Sequence, residues 1–285
     1  MGIIMRKRVS SLLLILILLL NSLLGCSSEP EVESIQESVN KHDSDKIVIV
    51  LLDTGVSQEA IESKYLLPGY NYLTDSDDTR DMINHGTAVA STILGSKSAG
   101  VKGTAEDVYL VPLVVVTEEN GETVSASPEL LAKAIRDGVD IYNGSIINVS
   151  LGINKDDASV LEAVEYAEKK GVLVVSAVGN GGEDGKPFYP ASYNTVLSVG
   201  SCDKDGNKSK FTQKGADILA QGEDIWLASK NGKTYGAKGT SYATGFVSAK
   251  AAKLLMENPS MTPGEIREAL IEKASLRGGY LPLEE

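Results

Sequence analysis

From Lys46 onward the chain alternates between two kinds of apolar pattern. Runs at 46–52, 108–116, 145–151, 172–177 and 195–201 are rich in Val, Ile and Leu and nearly uninterrupted. Such runs suit parallel strands buried on both faces. Between them, Leu130, Leu131, Ala134 and Ile135 in 128–138, and Val160, Leu161, Val164 and Ala167 in 156–169, recur at helical spacing. The spacing predicts a helix in each segment, and Tyr242–Leu255, after Gly239-Thr240-Ser241, is read as a third. Thr262-Pro263-Gly264-Glu265 has the form of a capping box with proline at the first helical position, so a last helix is predicted to about Lys273. Strand–helix–strand alternation implies right-handed crossovers. The predicted fold is α/β, a three-layer, doubly wound, mostly parallel sheet with helices on both faces. One domain is expected over 46–278, with a tail at 279–285.

The first residues follow another pattern. Arg6, Lys7 and Arg8 precede an unbroken apolar run from Leu12 to Leu20, and Asn21-Ser22-Leu23-Leu24-Gly25-Cys26 follows. A positive segment before so short an apolar run reads as a secretory signal over 1–25 rather than a spanning helix. Leu23-Leu24-Gly25-Cys26 resembles a bacterial lipobox, which implies lipidation of Cys26 and a domain held on the outer face of the cell membrane. The alternative is an ordinary signal peptide with an incidental cysteine. Met5 offers a second start, since the basic residues follow it directly. Ser27 to about Ser44 is polar and is read as a flexible tether, 26–45, between lipid and domain.

Composition narrows the partners more than the fold. With 42% hydrophobic and 23% charged residues the chain is an ordinary globular protein. Cleavage before Cys26 removes three positive charges and no negative ones, which moves the formal net charge from −12 to −15. That excess argues against nucleic acid and anionic lipid as electrostatic partners. It suits either basic substrates or a solvated acidic surface. With Cys26 committed to lipid, Cys202 has no partner for a disulfide and is expected as a buried thiol.

Three short segments carry candidate chemistry: Asp53-Thr54-Gly55, His85-Gly86-Thr87 and Gly239-Thr240-Ser241. They supply an acid, an imidazole and a hydroxyl, each beside small residues. A serine hydroxyl becomes a useful nucleophile when a base takes its proton, and a carboxylate orients that base. The chain has two histidines, and His42 sits in a polar stretch, which leaves His85 as the candidate base. Asp53 ends an apolar run, where the carboxyl edge of a parallel sheet gathers ligands. Ser241 opens a helix, where free N–H groups and the helix dipole favour a developing oxyanion. Taken singly, each triplet is as well read as a turn or a helix cap.

The order Asp, His, Ser along the chain is the subtilisin order. The stretch Ile47–Val56 resembles the subtilase strand ending in the triad aspartate, and His85–Ser91 resembles the start of the histidine helix. Asn148-Val149-Ser150-Leu151-Gly152 is similar to the strand lining the substrate cleft, Ala177-Val178-Gly179-Asn180 to the segment with the oxyanion asparagine, and Gly239–Thr244 to the nucleophile turn. The resemblance spans 46 to about 256 and identifies the chain as a member of the subtilisin-like serine protease family. It implies Asp53, His85 and Ser241 as triad, Asn180 as oxyanion donor, and Ser150, Leu151 and Gly152 as an edge on which a peptide pairs. It also implies that no cofactor is required for the chemistry.

The chain departs from the family in places. Ala88 replaces a frequent second histidine. Gly245 stands where the family usually has proline, and since glycine within a helix costs about 1 kcal/mol relative to alanine, a looser turn is expected. The tether is too short for the inhibitory pro-region usual among secreted subtilases. Tyr189-Pro190 resembles the floor of the specificity pocket, which places Phe188 beside it and implies a small side chain before the cleaved bond. Glu183 and Asp184 offer the opposite reading, attraction of basic residues. Asp75, Asp77, Asp78 and Asp81 are read either as ligands for the structural calcium that the family can carry or, in preference, as a solvated loop. The expected partner is a peptide or protein substrate, above all an exported peptide, met by a monomer. The rivals are a non-catalytic peptide-binding lipoprotein and the solute-binding lipoprotein of a transporter.

Overall fold

The computed structural model describes residues 46–186 and 188–282. The signal segment, Cys26, His42 and the tether lie outside the described residues. Eight strands form one sheet: β1 (Val48–Asp53), β2 (Tyr70–Asn71), β3 (Tyr109–Val114), β4 (Ile146–Val149), β5 (Leu173–Ala177), β6 (Leu197–Cys202), β7 (Ile218–Gln221) and β8 (Tyr280–Leu281). Their order across the sheet is β8-β7-β6-β5-β4-β1-β3-β2, and every pairing is parallel. The five long apolar runs are β1, β3, β4, β5 and β6. The expected tail contributes β8, which pairs with β7, so part of 279–285 belongs to the sheet.

Among the described residues five α-helices cover the sheet: α1 (His85–Leu94), α2 (Pro128–Asp140), α3 (Ala158–Lys169), α4 (Thr240–Glu257) and α5 (Pro263–Ser275). The period-two geometry of β1 divides the core. Ile49 and Leu51 join the cluster formed with residues of α1, α4 and α5. Val48, Val50 and Leu52 join the cluster formed with residues of α2 and α3. Alternate side chains of a strand point to opposite faces, so one buried strand feeds two cores. This is the three-layer arrangement that the pattern predicted.

The helix starts follow their sequences. Ser127 accepts from Leu130 N ahead of α2, and Asp157 accepts from Ser159 N and Val160 N ahead of α3. The Thr262 hydroxyl and the Glu265 carboxylate close the predicted capping box at α5. Among the described residues no helix is long and apolar enough to cross a membrane.

Gly245 lies within the unbroken helix α4. A Cβ there would stand 2.1 Å from the Thr92 hydroxyl and 3.2 Å from Val89 Cγ1, so its absence is what lets α4 cross close over α1. The missing side chain is a packing requirement.

Candidate active site

Strand order reverses at β1, whose neighbours are β3 on one side and β4 on the other. In open parallel sheets, ligands gather at the carboxyl ends of the strands flanking such a switch. Asp53 is the last residue of β1, and Ser150-Leu151-Gly152 continues the chain beyond β4. The fold thus brings the predicted acid and the predicted peptide edge to the ends of two adjacent strands.

Asp53 is buried and its Oδ1 accepts from Thr54 N at 2.7 Å. The same oxygen lies 2.7 Å from His85 Nδ1. Two glycines make this approach feasible. A Cβ on Gly86 would stand 2.2 Å from Gly55 O and 3.1 Å from Asp53 Oδ1. Gly55 itself has φ of 102°, and a Cβ there would stand 2.4 Å from Thr79 O. Small residues around the acid and the imidazole therefore bring two backbones into contact, with the acid buried and the imidazole partly open.

The His85 side chain is 30% exposed. Burial alone pushes its pKa down. The Asp53 charge and hydrogen bond, with a further contribution from the Asp81 charge, outweigh burial and leave it raised above the ordinary histidine value. With Nδ1 held by a carboxylate, the neutral ring carries its proton there and offers Nε2 as acceptor.

Ser241 lies in the first turn of α4, and its neighbour Tyr242 places a ring 5.7 Å from the His85 ring. Two side-chain bonds tie this turn to the end of β4. Ser150 Oγ donates to Ser241 O at 3.1 Å and accepts from Asn148 Nδ2 at 2.9 Å. Asn148 Oδ1 in turn accepts from Ser248 Oγ, one helical stretch further along α4. The Ser241 hydroxyl donates to Ser150 O at 3.0 Å, and no hydrogen bond joins it to His85 in this state. Such bonds are often unmade until substrate is present.

Asn180 follows β5 through Gly179, whose φ of 99° turns the chain. Its Oδ1 accepts from Thr240 N at 3.0 Å and from Thr240 Oγ1 at 3.1 Å. A backbone N–H donates only to oxygen here, which fixes the amide orientation and leaves Nδ2 as the donor end of the side chain. These bonds tie Asn180 to the start of α4, which carries Ser241.

The expected peptide edge is shared with Phe188. Ile153 and Tyr189 form a short antiparallel bridge through two hydrogen bonds of 2.8 and 2.9 Å. That bridge lays the Phe188 ring against Gly152, where a Cβ would stand 2.8 Å from Cε1. Glu183 gives no support to the basic-substrate reading. Lys208 and Lys214 both pair with it, and Lys208 first of all holds its carboxyl below the usual carboxylate range.

The acidic stretch 75–81 is also not a uniform solvated loop. Asp75 takes the Tyr70 hydroxyl and Asp78 pairs with Arg80, both at the surface. Asp81 is only 5% exposed and accepts four hydrogen bonds between β1 and α1. Its position four residues before His85 was the one available signal, and charge density masked it. Among the described residues no cluster of His, Cys, Asp and Glu has the form of a metal site. Cys202 is a buried free thiol at the end of β6, as expected.

Known proteins share this architecture. The Subtilase family is matched over residues 44–283. Subtilisin Savinase of Lederbergia lenta is 34% identical over 236 residues, covering 81% of this chain and 84% of its own. Subtilisin DY of Bacillus licheniformis is 29% identical over 238 residues, covering 81% and 85%. Among solved structures, Sphericase superposes with a TM-score of 0.73 at 27% identity, covering 85% of this chain and 89% of its own. The prenylagaramide maturation protease PagA superposes with a TM-score of 0.68 at 30% identity, covering 85% and 87%. A doubly wound parallel sheet with an acid, an imidazole and a serine gathered at its switch point, matched over nearly all of its described length, places this chain in the subtilase family as a subtilisin-like serine protease.

Proposed function

We propose that peptide-bond hydrolysis here runs through an Asp53/His85/Ser241 triad, with Asn180 and the Ser241 N–H as oxyanion donors. The observation that carries this reading is the 2.7 Å bond between His85 Nδ1 and Asp53 Oδ1, which leaves Nε2 turned outward beside the α4 start. Substrate pairs its acyl half along Ser150-Leu151-Gly152 as an added strand. The Ser241 hydroxyl leaves Ser150 O, gives its proton to His85 Nε2 and attacks the carbonyl carbon. Asn180 Nδ2 stabilises the resulting oxyanion, and the His85 proton passes to the leaving amine. Water then hydrolyses the acyl-enzyme with His85 again as base. Purified Ser241→Ala protein should lose peptide hydrolysis while keeping its fold. Retained turnover would refute the assignment.

The same reading extends to place and substrate. Arg6 to Arg8, the apolar run after them and Leu23-Leu24-Gly25-Cys26 support lipidation of Cys26 and a catalytic domain held on the outer face of a bacterial cell membrane. A cleft tethered there meets exported peptides as they emerge, and Phe188 beside Gly152 favours a small side chain before the cleaved bond. The maturation role in the name of the PagA neighbour is in keeping with narrow processing rather than bulk digestion. Intact-mass analysis of the mature N-terminus tests the anchor: a diacylglyceryl adduct on Cys26 supports it, and an unmodified N-terminus at any other residue refutes it.

A further inference from the structure

We propose that Asp81 is a positioning residue for His85, a second carboxylate that ties the base to its acid through hydrogen bonds and adds negative charge behind the ring. The inference rests on His85 being the base of the proposed triad. Asp81 Oδ1 accepts from the Thr54 hydroxyl at 2.8 Å, from Ile83 N at 3.0 Å and from Asn84 N at 2.7 Å. Asp81 Oδ2 accepts from Thr87 N at 2.8 Å. Thr54 is the residue after Asp53, and its Oγ1 also accepts from Gly86 N at 2.8 Å. One buried carboxylate therefore grips the residues on both sides of His85 and, through one hydroxyl, the turn that carries Asp53.

This arrangement replaces the ordinary start of a helix. Asn84 occupies the cap position of α1 with φ of 97° and makes no side-chain cap bond. Its side-chain oxygen instead accepts from Lys230 N on the loop joining the strands Ile225–Ala228 and Thr234–Ala237. Asp81 supplies the missing cap by reaching Thr87 N inside the first turn. A carboxylate bonded to free N–H groups at a helix start is favoured by the helix dipole as well. The aim of the imidazole is thus set by Asp81 and Thr54 before Asp53 makes its own bond.

The groups facing His85 come from several elements. Asp53 ends β1, Asp81 lies in the preceding loop, and Tyr242 lies on α4. Tyr235 reaches in from the Thr234–Ala237 strand, and Lys230 places its ammonium on Met82 O. Burial raises the pKa of both phenols, so they remain neutral through the working range of a histidine. Arg80 is at the surface and paired with Asp78. The charges that act on the imidazole are therefore the two carboxylates, and the Asp81 charge raises the His85 pKa alongside that of Asp53.

Asp81→Asn separates the charge from the scaffold. With its oxygen toward Thr54, Ile83 and Asn84 the amide keeps three bonds, sets an NH2 against Thr87 N–H and removes the negative charge. The acid limb of kcat/KM should move to lower pH, while kcat on the plateau falls by up to about 10²-fold with KM little changed. A change in packing alone would lower the plateau and leave the limb in place. An acid limb at the wild-type position, at any plateau height, overturns the inference. Thr54→Val and Thr54→Ser test the link with the Asp81 charge intact: the valine variant should lose kcat without moving the limb, and the serine variant should recover it. A Thr54→Val plateau equal to wild type overturns the link. His85→Ala fixes which claim fails. If it stays active, or if the wild type shows no acid limb, the triad assignment falls and Asp81 with it. If the limb is present and tied to His85, an unmoved limb in Asp81→Asn removes the role of Asp81 alone.

Discussion

Gly245→Ala is the sharpest structural test of how α4 is seated. On propensity alone the change should stabilise, since alanine in a helix interior is favoured over glycine by about 1 kcal/mol. The packing opposes it. The new methyl would stand 2.1 Å from Thr92 Oγ1, and ordinary contact begins near 3.4 Å, so something must move by more than 1 Å. Thr92 is fully buried and its hydroxyl donates to Val89 O at 2.7 Å. Turning that side chain away strands a buried hydroxyl, at about 1–3 kcal/mol. Moving the helices apart instead overpacks the interface at about 1–3 kcal/mol. Either route exceeds the propensity gain on average, so a net loss of about 1 kcal/mol is expected. Because Ser241 sits in the first turn of α4, a shift of the helix also misplaces the proposed nucleophile, and kcat should fall by up to about 10²-fold. Urea denaturation in a Ser241→Ala background, which prevents self-cleavage, reads the stability as a lower midpoint at unchanged slope. Thr92→Ala removes the obstructing hydroxyl, so Gly245→Ala should cost less in that background, with a coupling of about 1 kcal/mol. A Gly245→Ala protein as stable and as active as wild type would refute the close-crossing argument.

Three further outcomes follow from the site. Asn180→Ala removes one of the proposed oxyanion donors and should lower kcat by about 10²–10³ with KM nearly unchanged, the magnitude known for subtilisin itself; steady-state kinetics on a short peptide check it. Phe188→Gly should admit larger side chains before the cleaved bond, which a peptide library reads directly, and efficient cleavage after large aromatic residues by the wild type would refute the pocket argument. Cys202 is fully buried, and burial first of all, with Asp203 nearby, pushes its thiol up to about 12, so peptide-mapped alkylation at neutral pH should leave it unmodified until the protein is unfolded.

Much of the fold was legible because its strands are buried on both faces. Near-continuous apolar runs mark β1, β3, β4, β5 and β6 in the sequence without ambiguity. The short edge strands β2 and β8, and β7 between β6 and β8, were not, since their two to four residues carry no periodicity and their pairing comes from the sheet they join. The hairpins Val116–Glu119 with Glu122–Ser125, and Ile225–Ala228 with Thr234–Ala237, are equally silent for the same reason. The site shows the same division. Asp53, His85, Asn180 and Ser241 stand out because small residues flank each one. Asp81 does not, because an acidic neighbourhood looks solvated in sequence whether or not one member turns inward. Gly245 read as a weakness along its own helix, and only the crossing of α1 reveals what its missing methyl allows.

The central claim is that Ser241 is the nucleophile and that His85 activates it. Reaction of the purified protein with a fluorophosphonate, followed by peptide mapping, tests both at once. One covalent adduct is expected, on Ser241, formed at a rate that falls as pH drops through the raised His85 pKa and that His85→Ala suppresses. An adduct on another residue, or labelling of Ser241 that ignores both pH and the loss of His85, would contradict it.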